Sequence, residues 1–70
     1  MHTVEDILNA LTDNEKAWLH ALWSDAAPLK MRVQFINIVL VGRLGWSITG
    51  WDIMAYNQKL TIVCNRLAPR

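Results

Sequence analysis

Seventy residues with seven bases, six acids and a net charge of +1 make at most one small domain, 1–70, with no strong pull toward nucleic acid from total charge. A single cysteine, Cys64, excludes an intrachain disulfide, and His2, His20 and Cys64 share no metal-ligand spacing. A chain this short buries only about 60% of its unfolded surface, so it needs a staple, and with 53% hydrophobic residues the staple left to it is self-association.

A membrane span and a leader are also set aside. The longest apolar run, residues 33–42, is closed by Arg32 and Arg43 and holds Gln34 and Asn37. A spanning helix needs about 20 apolar residues. Glu5, Asp6, Asp13 and Glu15 are the opposite of a basic leader. The expectation is a soluble, cytoplasmic, all-α chain.

Thr3 before Glu5 and Asp6 predicts an N-cap with acids in the first helical turn, opening a short helix over 4–11. Thr12 and Glu15 form a T-x-x-E capping box for a second helix over 13–24. At about 100° per residue, Trp18, Leu19, Leu22 and Trp23 share one face, with both indoles at its rims, while Lys16, His20 and Ser24 lie opposite.

Pro28 suits a helix start and Gly45 the position beyond a helix end, which frames a third helix over 28–44. Its wheel carries two apolar stripes. Leu29, Val33, Ile36, Leu40 and Leu44 form one; Met31, Phe35, Ile38, Val39 and Gly42 form the other. Arg32 and Arg43 share one of the gaps between them. A helix with two apolar faces must be covered twice, so Phe35, Ile38 and Val39 are the expected dimer interface. A strand over 31–41 is the alternative, since Val, Ile and Phe favour strands, but its alternation fails on one face.

Thr49 with Asp52 is a weaker capping box for a fourth helix over 50–67, with Pro69 beyond its end. Ile53, Tyr56, Leu60, Val63, Cys64 and Leu67 make its buried stripe. Its back carries Ala55, Lys59, Ile62 and Arg66, an apolar residue between two cations. Two short and two longer helices result.

Charge is divided unevenly. Residues 1–29 hold five acids and one base, a net −4, while residues 30–70 hold six bases and one acid, a net +5. Either the two halves attract each other, or each is a surface for a partner of opposite sign. The candidate partner-binding residues are therefore Lys59, Ile62, Arg66 and Trp51 on the basic side, with Asp13 and Glu15 on the acidic side. Trp and Arg are the residues that most often dominate interface energy.

No catalytic constellation or cofactor pattern stands out. His20 reads as a solvated helix residue, Cys64 as a small buried hydrophobe, and Gly42, Gly45 and Gly50 as packing, cap and turn. The leading expectation is a non-enzymatic protein that binds another protein. A compact DNA-binding repressor is the alternative. Helices three and four imitate a helix-turn-helix, yet the second would open Gly50-Trp51-Asp52, with an acid where phosphates approach.

The segments TDNEKAWLHALWSDAAPLK, RVQFINIVLVGRLGW and ITGWDIMAY resemble the phage-encoded quorum-sensing anti-activators, small accessory proteins of temperate phages of pseudomonads. The resemblance covers nearly the whole chain. It implies a short cytoplasmic helical dimer that binds the DNA-binding region of a LuxR-type activator; some members also bind the type IV pilus assembly ATPase. No family contact residue maps onto a position here. Anti-CRISPR proteins are the other phage class of this size.

Overall fold

The computed structural model describes residues 1–67; Pro69 and Arg70 lie outside them. The helices are α1 (Val4–Ala10), α2 (Asp13–Ser24), α3 (Leu29–Phe35) and α4 (Ile53–Leu67), with a π-helical segment, Ile36–Arg43, continuing α3. There is no strand among the described residues, so the strand alternative for 31–41 falls. No helix among them is long and apolar enough to cross a membrane.

Both expected caps on the first two helices form. The Thr3 hydroxyl accepts from the Asp6 N–H, and the Asp6 carboxylate accepts from the Thr3 N–H. Thr12 and Glu15 make the same reciprocal pair. The third box differs. The Thr49 hydroxyl donates to the Asp52 carboxylate at 3.1 Å, and α4 begins only at Ile53, where the Asp52 carbonyl accepts from the Tyr56 N–H. Here the Asp52 N–H donates to the Thr49 carbonyl at 2.9 Å, so a turn closed by backbone and side chain stands where a reciprocal box would.

α4 is the backbone of the core. Tyr56, Leu60, Val63 and Cys64 are buried along it, and α1, α2, α3 and the π segment all pack against it. Ile7 and Leu11 close the core from α1 and its cap, Leu19, Leu22 and Trp23 from α2. The α4 stripe read from sequence is the one buried.

The third helix departs from expectation, and its arginines explain why. Only the inner edges of the two predicted stripes are buried: Phe35 and Val39 from one, Ile36 and Leu40 from the other. The outer edge, Met31 and Ile38, stays exposed, as does Leu29 in the first turn. The core face therefore lies across the gap that holds Arg32 and Arg43. In a regular α-helix Arg43, seven residues after Ile36, would stand within about 20° of that fully buried side chain.

Burying an unpaired guanidinium costs several kcal/mol. The i→i+5 hydrogen bonding of a π-helix turns the chain more slowly and swings Arg43 off that line. The segment ends with Leu44 N–H on the Val39 carbonyl and Trp46 N–H on the Leu40 carbonyl, both at 2.9 Å. Gly45 makes this exit with φ at 71°.

The end of α2 is less well served. Ala26 occupies the left-handed region with φ at 52°, where glycine is the usual residue. An L side chain there costs about 1–2 kcal/mol. Ala26→Gly should therefore raise stability by about 1 kcal/mol, read as a higher urea midpoint with unchanged slope. Thr12→Ala should lower it by about 1 kcal/mol through loss of the cap.

Candidate functional site

Two ion pairs join the acidic first half to the basic second half. The Arg43 guanidinium forms a forked ion pair with Glu15 and also donates to the Ala10 carbonyl at 2.9 Å, so it closes the C-terminal end of α1 as well. Arg66 on α4 donates to Glu5 on α1 at 2.5 Å. Of the two readings of the charge asymmetry, internal attraction accounts for these four residues.

That redefines the acidic candidates. Glu15 is half-buried and carries both the Arg43 pair and the Thr12 cap. The hydrogen bonds from Arg43, then those of Thr12, hold its carboxyl below the usual glutamate range. Asp6 is likewise held low, first by the Thr3 N–H. Asp13 is exposed, but it has lost Glu15 as a free neighbour.

On the basic side, Ile62 and Arg66 are exposed and Lys59 is half-buried, all on the outer face of α4. Trp51, in the turn that leads into α4, is 95% exposed. Met54 adds a half-exposed thioether that sequence reading passed over, although its spacing from Trp51 and Ile62 places it on the same outward face. The outer side of α4 thus presents Trp51, Met54 and Ile62 with Lys59 and Arg66 at the flank.

The expected dimer residues separate. Phe35 and Val39 are fully or almost fully buried in the chain's own core, Phe35 beneath edge-on contacts from Trp18 and Trp23 at 4.9 and 5.6 Å between ring centres. They are not available to a second subunit. Ile38 is 50% exposed, with Leu29, Met31 and Val41 also exposed on α3 and the π segment. The wheel misled because it assumed that each stripe was a face, whereas the core took one edge of each.

Two polar clusters escaped the sequence altogether. His2 stacks on Trp46 at 3.6 Å between ring centres and 5° between planes, and its backbone N–H donates to the buried Tyr56 hydroxyl. This occupies Trp46, leaving Trp51 as the exposed indole of the loop. In the second cluster Arg32 lies over the Trp23 ring at 5.5 Å, and the Trp23 indole N–H donates to the Asn57 carbonyl. Both are contacts distant in sequence, with no local signature.

Nothing in these arrangements assembles a nucleophile with a base. Cys64 is buried, and burial pushes its thiol up, away from thiolate chemistry. His20 lines an open depression of about 300 Å³ with Lys16, Ala17 and Leu67. No group of three potential metal ligands occurs among the described residues. Compared with family models, curated proteins and solved structures, the chain matches none in any of the three.

Glu15 gives a pH-dependent expectation. Its folded carboxyl is held low, so its contribution is present above the ordinary glutamate pKa of about 4.3 and is lost as pH falls through and below it. Urea midpoints of the wild type should drop on acidification from pH 6 to pH 3, and Glu15→Gln should flatten that drop. Phe35→Ala should cost about 3–5 kcal/mol, a core loss seen by urea unfolding.

Proposed function

We propose that this protein acts by protein–protein contact, as a small anti-activator that occupies a host transcription regulator of the LuxR type. The observation that carries the reading is the concentration of apolar surface on two outward helix faces. Trp51, Met54 and Ile62 lie on the α4 side, and Met31, Ile38 and Val41 on the α3 side. Large apolar side chains grouped on exposed faces are the mark of interaction surfaces. The resemblance to phage anti-activators supplies the class of target.

The two faces have different uses in this reading. Between Arg32 and Arg43 the outward positions of α3 and the π segment carry no charge (Gln34, Asn37, Ile38 and Val41), with the exposed Lys30 at the N-terminal end of the same side. An uncharged face opposes itself without repulsion, which suits a two-fold contact between copies. The α3 face is therefore the homodimer interface, through Ile38 and its neighbours. The α4 face, with its cations, is left for the regulator.

Co-expression of the chain with a LuxR-type activator and its promoter reporter tests the reading. The reporter should fall at least tenfold, and Trp51→Ala should restore it. An unchanged reporter overturns the anti-activator assignment. Light scattering at low micromolar concentration should give a dimer, and Ile38→Asp should give a folded monomer with unchanged circular dichroism. A wild-type monomer overturns the dimer.

A further inference from the structure

The outer side of α4 constrains the chemistry of what it meets. Met54, Gln58 and Ile62 follow one another at intervals of four residues, all exposed, along about 12 Å of helix. Trp51 stands at the N-terminal end of this row, almost wholly in solvent. Lys59 and Arg66 flank it, and α4 contains no acidic residue at all.

The Arg66–Glu5 pair is exposed on both sides, 53% and 66%, so screening leaves it weak and exchangeable. Of the other acids of the first half, Glu15 is paired with Arg43 and Asp6 caps α1 through Thr3, while Asp13 and Asp25 are exposed. Asp13 and Asp25 stand at opposite ends of α2, so these two carboxylates do not form a row with which to imitate a phosphate backbone.

We propose, building on the protein-binding reading above, that the α4 face docks on an apolar protein surface rimmed by carboxylates, with Trp51, Met54 and Ile62 as anchors and Lys59 and Arg66 at the rim. Charge complementarity selects this occupant. A second copy would set cations against cations, which opposes association. A nucleic acid would gain little counterion release from two cations and would leave the apolar row in water. On the regulator, such a surface lies away from the positively charged face that contacts DNA, so inhibition works from outside that face and not by mimicry of DNA.

Selection of a random dodecapeptide display library against the immobilised full chain tests this. Enriched peptides should combine Asp or Glu with aromatic or large aliphatic residues. Their affinity should fall at least tenfold with Trp51→Ala or Ile62→Ser, fall with Lys59→Glu, and hold with Ile38→Ser. All four positions lie outside the buried core, so the variants retain the fold, as circular dichroism should verify.

Enriched peptides without excess acid, or unaffected by Trp51→Ala and Ile62→Ser, overturn the assignment. Peptides lost instead with Ile38→Ser or Asp13→Lys overturn it while leaving a protein-binding role intact. Failure to enrich any peptide overturns it as well; the promoter reporter separately decides the wider reading. Enrichment that disappears when random duplex DNA is added as competitor would place nucleic acid on this face and overturn it too.

Discussion

Arg43 lies where a regular helix would bury it, and much of the local architecture follows from keeping it out. The π geometry of Ile36–Arg43 turns the guanidinium toward the seam between α1 and α2, where Glu15 and the Ala10 carbonyl receive it. One side chain thereby ties the third helix to the end of the first and the start of the second. Glu15 in turn is held by the Thr12 cap, so a local helix-start signal and a contact 28 residues away share one carboxylate. Arg32 meets the same difficulty in a different way. It stays half-buried, its charge set over the face of Trp23, a cation–π contact that partly replaces water.

What could be read directly in the sequence was whatever local chemistry decides. The Thr12–Glu15 box fixed the start of α2, and the Asp13–Ser24 span agrees with expectation at both ends. The stripe through Tyr56, Leu60, Val63 and Cys64 was legible because α4 is a regular helix throughout. Gly45 was legible as an exit because only a positive φ lets the chain leave there so sharply. The third helix was misread in its faces. A fixed 100° step cannot represent a π segment, and the need for that segment appears only once the core is known to lie on the arginine side.

The site was harder to read, because sequence assigns charges to halves and not to partners. Glu15 and Asp13 looked like one acidic face, yet the fold consumes the first and leaves the second alone. Phe35 and Val39 looked like surface because an apolar stripe has no label for inside and outside. Trp51 and Ile62 were legible as outward-facing, the former from its loop and the latter from its place opposite the clean buried stripe. Met54 could have been found by stepping back from Ile62 by four residues twice, through Gln58.

The four indoles sit in four different surroundings, and this makes the chain its own optical probe. Trp23 is buried with its N–H engaged, Trp18 leans edge-on against Phe35, and Trp46 is stacked beneath an imidazole. Trp51 stands in water. Its emission is the red edge of the intrinsic fluorescence, and it is the indole that an aqueous quencher such as iodide reaches most freely. Any event that covers the α4 face moves that edge to the blue and shields it from the quencher, with no label attached, while an event on the α3 face leaves it where it was.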